Sequence, residues 1–134
     1  MRISVIAVGR VRPPFRDDVE HYRKMLAGHV KLDLIEVRGD EKVAPRIPER
    51  AFCGLVASDG ESLDSERLSG WLEERRREGR DLCFVIGGPK GLELQADMRL
   101  SLGPMTLPHQ LARVVLLEQI FRAHKILAGE PYHY

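Results

Sequence analysis

Little in this 134-residue chain marks it for the common specialised classes. Cysteine is scarce. Cys53 and Cys83 each lie in an apolar run, and no CxxC pair or Cys/His cluster offers a zinc site. The two read as buried thiols of a cytosolic domain. No charge of one sign dominates: the net charge of +1 excludes an overall basic field, although a local basic patch, and with it RNA, stays compatible with that average. No window approaches the ~20 apolar residues of a membrane span. Met1-Arg2 runs straight into a strand-like segment, without the apolar core and small-residue cleavage site of a secretory leader, so the expected location is the cytoplasm. Repeats, low-complexity tracts and domain boundaries are missing too. With 43% hydrophobic and 31% charged residues, residues 1–134 read as one globular domain with a real core.

What is present alternates in period. Residues 2–9 (RISVIAVG) form a nearly continuous apolar, β-branched run, as in a strand covered on both faces. After Pro13-Pro14, the residues Phe15, Val19, Tyr22 and Leu26 share one helical face. Gly28 is a candidate stop. Residues 30–37 (VKLDLIEV) alternate as a half-exposed strand does. Residues 38–50 keep no period and read as a loop. A third strand is expected over 51–57, ending near Ser58-Asp59-Gly60. Asp64 can cap a helix that buries Leu68, Trp71 and Leu72 and ends in Arg75, Arg76, Arg77, Gly79 and Arg80. A fourth strand is expected over 82–86 and a short fifth one from Leu100. A long helix follows over about 108–127, with Thr106 as its candidate cap and Gly129-Glu130-Pro131 ending it. This order predicts an α/β fold: a mostly parallel five-stranded sheet with helices on both faces.

Three places could carry chemistry. The turn Gly87-Gly88-Pro89-Lys90-Gly91 fits neither GxxxxGK[ST], because Lys90 precedes the last glycine and Leu92 follows it, nor GxGxxG. It is either a structural turn or a place where main chain without β-carbons approaches a ligand. Leu102-Gly103-Pro104-Met105-Thr106-Leu107 offers main-chain groups around apolar walls. That suits a nucleoside with a thioether, and equally an ordinary strand-to-helix corner. The tail Pro131-Tyr132-His133-Tyr134 combines a group that titrates near neutrality with rings able to stack on bases, or simply docks by those rings. On the last helix Arg113 and Arg122 are nine residues apart, about 180° around the axis at 100° per residue. They cannot point at one ligand from the same face.

Taken together, FVIGGPKG, SLGPMTLPHQLARVVLLEQIFRAHKI and the terminal PYH resemble the RlmH (YbeA-like) branch of the SPOUT methyltransferases. The resemblance is dense over residues 82–133 and continues through RISVIAVG and the Asp59-Gly60 turn. It implies an S-adenosyl-L-methionine-dependent homodimer that methylates N3 of a pseudouridine in the 23S rRNA of the large ribosomal subunit. It also implies a C-terminal deep trefoil knot and no metal or membrane. Carried over by position, Val56, Gly87, Leu102, Gly103, Pro104, Met105, Thr106 and Leu107 would touch the cofactor. Arg122, Tyr132 and His133 would face the methyl donor or the RNA. The sequence departs from the family in two places. Residues 38–50 are about one helix short, and Tyr134 stands where the family commonly has Arg or Lys. If that basic residue anchors a phosphate, Lys125 or the Arg75–Arg80 cluster is the substitute.

Within that expectation the imide N3 must lose its proton to become nucleophilic. His133 is the candidate base, Arg122 the group stabilising the anion or a phosphate, and Tyr132 a stacking or hydrogen-bonding partner. The two departures keep a rival open: a non-catalytic RNA- or ribosome-binding module on the same knotted fold. A phosphate-nucleotide hydrolase is disfavoured by the misplaced Lys90.

Overall fold

The computed structural model describes residues 1–88 and 91–132, and His133 and Lys90 lie outside them. Five strands form one sheet: β1 (Arg2–Val8), β2 (Lys31–Val37), β3 (Phe52–Ser62), β4 (Leu82–Ile86) and β5 (Met98–Ser101). Their order is β2-β1-β4-β3-β5, and every pairing is parallel. A parallel sheet needs cover on both faces, which is why β4 is buried along its whole length.

The three α-helices, α1 (Pro13–Leu26), α2 (Ser65–Arg77) and α3 (His109–Leu127), share one face. There Ile3, Val5, Phe84 and Ile86 meet Leu26, Leu68, Leu72, Leu116 and Ile120. The opposite face, with Ile6, Cys53, Leu55, Cys83 and Val85, is covered by Val43 and Ile47 and by Leu92, Leu94 and Ala96. Helices thus stand on both faces, but on this second face they shrink to two single-turn 3₁₀ helices, Asp40–Lys42 and Ala44–Arg46. Residues 38–50 are therefore not the plain loop expected. Aperiodic charge hides one buried anchor, Val43, which is fully enclosed. Cys53 and Cys83 are register partners on neighbouring strands and free thiols, buried as expected.

The local signals in the sequence acted mostly where expected. Asp64 accepts a hydrogen bond from the Arg67 N–H at 2.8 Å and so caps α2. Thr106 does not cap α3. That helix starts behind Pro108 without a side-chain cap, which leaves its first N–H groups turned toward the loop before it. The largest difference lies in β3. Instead of ending near Asp59, it bulges over residues 57–60 and returns to the sheet, so that both Val56 and Glu61 pair with Leu100. Gly60 allows the return: a β-carbon there would sit 2.6 Å from the backbone of Arg99.

Near the C-terminal end of α3, His124 donates through Nδ1 to the Ile120 carbonyl oxygen at 2.8 Å, and His29 lies beside it. A carbonyl only accepts, so Nδ1 carries the proton. Burial, with smaller contributions from His29 and the amino terminus, holds the His124 pKa below its ordinary value despite that bond. The unfolded chain then takes up the proton first, and stability falls as pH drops below about 6.5. Urea unfolding between pH 7.5 and 5.5 should show the midpoint falling with pH, and His124→Gln should flatten that slope.

Candidate functional site

The strands β4, β3 and β5 end side by side, and beyond their carboxyl ends lies a cleft of about 790 Å³. This is the edge at which parallel α/β sheets usually hold ligands, and the volume falls within the roughly 300–1,000 Å³ of small-molecule sites. Val56, just before the β3 bulge, and its register partner Ile86, at the end of β4, form its floor. Leu102, Met105 and Leu107 form one wall and Ala112, in the first turn of α3, another. Of the cofactor residues expected from the sequence, Val56, Gly87, Leu102, Gly103, Met105, Thr106 and Leu107 all line this one space. Pro104 lies exposed within the same loop and is not part of the lining.

Backbone chemistry shapes both loops. Ser101 is buried, and its hydroxyl donates to the Gly103 carbonyl at 2.8 Å and accepts the Gly103 N–H at 3.1 Å. This clip turns the chain sharply, at a φ of +134° that glycine tolerates best. Gly87 is needed for a different reason. A β-carbon there would stand 2.8 Å from that of Leu92, so the close approach first suspected of serving a ligand also serves the chain itself. The Gly91 N–H donates to the Gly88 carbonyl at 2.9 Å and closes the glycine turn.

Several lining groups have no local signature. The bulge of β3 presents Ser58 and Asp59, and Asp59 accepts from the Arg99 guanidinium at 2.8 Å. That bond, followed by the charge of Arg99, keeps the Asp59 carboxyl below the usual carboxylate range. The two residues are 40 positions apart, and only the register of β3 on β5 brings them together. Asp40 and Glu93 add further carboxylates, and His109 stands at the start of α3. Burial, then the charges of Arg113 and Arg12, lower the His109 pKa and keep it neutral near pH 7. His109 falls within the helix expected over about 108–127 and carries no signal of its own in the sequence. Among the described residues, no group of three or more His, Cys, Asp or Glu side chains could hold a metal ion.

Arg122 and Tyr132 are brought together, but elsewhere. The Arg122 guanidinium lies 5.2 Å from the centre of the Tyr132 ring. That ring packs on Phe121 at 5.7 Å, and its hydroxyl donates to Glu118. Burial, then the hydrogen bond to Glu118, raise the Tyr132 pKa, so it is a phenol at any physiological pH. Ten residues of helix separate Arg122 from Ala112, a rise of about 15 Å. Arg122 is not among the residues that line the cleft of its own chain. Of the phosphate anchors suggested by Tyr134, Lys125 pairs with Glu130 at 2.8 Å, and Arg75, Arg76 and Arg77 pair with Glu73, Glu74 or Glu78, while Arg80 makes no ion pair among the described residues and lies over the Phe52 ring.

The family model described as "Predicted SPOUT methyltransferase" matches residues 1–133. The chain belongs to the SPOUT methyltransferase family. Membership carries the knotted α/β fold, of which the all-parallel sheet described above is the core. Similar proteins named ribosomal RNA large subunit methyltransferase H occur in Gemmatimonas aurantiaca (36% identical over 153 residues), Clostridium botulinum (38% over 159) and Bifidobacterium adolescentis (37% over 158). In each case 99% of both chains is covered. These aligned lengths exceed 134, so each relative of this SPOUT chain carries residues for which it has no counterpart.

The SPOUT cleft depends on a buried cation. Arg113, 5% exposed, donates to the Val8 carbonyl at 3.0 Å, the Gly9 carbonyl at 2.8 Å and Glu36 at 3.1 Å. Arg113→Met should lower stability by about 1–3 kcal/mol, because the carbonyls and the carboxylate lose their donor while Glu36 can still reach water. Chemical unfolding of the two proteins measures this.

Proposed function

We propose that this chain transfers a methyl group from S-adenosyl-L-methionine to N3 of a pseudouridine in 23S rRNA of the large ribosomal subunit, acting as a cytoplasmic homodimer. The observation that carries the reading is the cleft at the strand ends, where seven of the eight residues expected to hold the cofactor, all but Pro104, line one space. The names of the relatives support the RNA substrate. No helix of the described residues is long and apolar enough to cross a membrane.

The residues present fit the cofactor. Apolar walls from Val56, Leu102 and Leu107 suit an adenine ring and a thioether chain. Main-chain groups of the 102–107 loop suit the ring edge, and Asp40 and Glu93 favour a cationic sulfonium, whereas Asp59 is already paired with Arg99. When bound, S-adenosylmethionine supplies an electrophilic methyl group. What the chain must supply is position and proton transfer. His133 takes the N3 proton, Arg122 faces the resulting anion, and Tyr132, held by Glu118, presents its ring.

The separation of Arg122 from its own cleft supports the dimer: a second copy would bring its Arg122, Tyr132 and His133 to the cofactor. The half-buried Leu111, Val114 and Val115 of α3, with Phe15 and Val19 of α1, are apolar surface available for that contact.

Mass spectrometry of 23S rRNA from cells with and without the protein tests the reading. One pseudouridine should lose a single methyl group in its absence, and an unchanged profile would refute the assignment. In the reconstituted reaction His133→Ala should lower turnover by about 10²–10⁴-fold, while calorimetry shows cofactor affinity preserved. Full activity of that variant removes His133 as the base. Failure of the intact protein to bind S-adenosylmethionine favours the non-catalytic RNA-binding module.

A further inference from the structure

The first acidic residue of the chain is Asp17, and before it stand Arg2, Arg10, Arg12 and Arg16. Three of these four lie in the turn after β1 and the first turn of α1. Arg38 follows β2 on the neighbouring strand end, where the Gly9 N–H donates to the Val37 carbonyl at 2.8 Å. Arg10, Arg12, Arg16 and Arg38 are all exposed. Among the described residues, none of their guanidinium groups makes an ion pair or a side-chain hydrogen bond. This sets them apart from Arg75, Arg76 and Arg77 of α2, each tied to a glutamate.

The backbone beneath these cations is held firmly. The buried Gln110 donates to the Arg10 carbonyl at 2.8 Å and accepts the Arg12 N–H at 2.8 Å. Glu36 accepts the Val11 N–H at 2.6 Å, and Arg113 holds the Val8 and Gly9 carbonyls. The nearest acid on the strands, Glu36, is thus occupied. Asp17 and Asp18 follow on α1, and Asp40 faces the cleft. Gln110 and Arg113 belong to the same first turns of α3 whose His109 and Ala112 line the cleft. On the other side, a β-carbon at the cleft residue Gly88 would be 3.6 Å from Val8. The basic turn is therefore held by buried hydrogen bonds, lies beside the cleft mouth, and keeps its four guanidinium groups out of ion pairs among the described residues, although the whole chain carries a net charge of only +1.

We infer that Arg10, Arg12, Arg16 and Arg38 form the surface on which the sugar-phosphate backbone of the RNA substrate lands beside the reactive nucleotide. The inference rests on the proposed function and says which face the RNA uses. Guanidinium groups match phosphate oxygens in planar, two-pronged geometry. A turn already fixed by buried hydrogen bonds presents them with little ordering cost. Phosphate contacts position a substrate without reading its sequence, which leaves recognition of the base to the cleft.

The test compares the intact protein with the combined variant Arg10→Gln, Arg12→Gln, Arg16→Gln, Arg38→Gln, using labelled large ribosomal subunits titrated across a range of salt concentrations. Each lost phosphate contact removes about 0.7–0.9 from the slope of log K against log salt, so the slope should shrink by roughly 3 and affinity should fall at least about tenfold. Calorimetry with S-adenosylmethionine should be unchanged, which controls for folding. The four-lysine counterpart should recover most of the slope, and Arg76→Gln with Arg77→Gln should change neither quantity. An unchanged slope and affinity in the four-glutamine variant overturn the inference. So does weaker binding with the slope intact, which would assign this face to a protein contact on the subunit. If the intact protein binds subunits in this arginine-dependent way but transfers no methyl group, the surface stands and the methyl-transfer reading falls.

Discussion

The first two turns of α3 hold the working edge of this protein together. Gln110 and Arg113 are both buried, and a buried guanidinium without partners would cost several kcal/mol. Their partners are the carbonyls of Val8, Gly9 and Arg10, the Arg12 N–H and Glu36. That requirement locks the end of β1 to the start of α3. On the same turns His109 and Ala112 face the cleft. One clamp thus sets a cleft wall and, on its outer side, the basic turn.

A second constraint is close approach of main chain. The β3 bulge brings Asp59 to Arg99, and this needs Gly60 pressed against the Arg99 backbone. Gly87 against Leu92 does the same for the opposite loop. Gly60 and Gly87 are therefore packing residues, and Gly87 lines the cleft as well. A cleft built from main chain has little freedom to rearrange, which suits a site that must position two reactants rather than supply many reactive side chains.

The cleft and the Arg122–Tyr132 cluster are separate centres on one chain. α3 joins them, carrying His109 and Ala112 at one end and Glu118 and Arg122 further along. A rise of about 15 Å between Ala112 and Arg122 makes the helix a spacer. Two copies in the right orientation would close that gap, and the half-exposed apolar residues of α1 and α3 give such a contact a hydrophobic basis.

Much of this was legible in the residues alone. Apolar runs and helical spacing located all five strands and three helices, because burial on both faces of a parallel sheet leaves a strong, local pattern. Asp64 announced its cap for the same local reason. The loops that line the cleft could be named because the resemblance rests on contiguous motifs. Tertiary structure decided the rest, through contacts between residues far apart in the chain. Residues 57–60 could not be seen as a bulge within β3, since the reason lies in the backbone of Arg99. Val43 could not be seen as a core anchor inside a charged stretch. The Asp59–Arg99 pair, the burial of Arg113 and the distance from cleft to tail depend on strand register and helix direction, which no local pattern encodes. The sequence by itself determined which elements form. Packing determined that the two loops share one cleft and that the basic turn stands beside it.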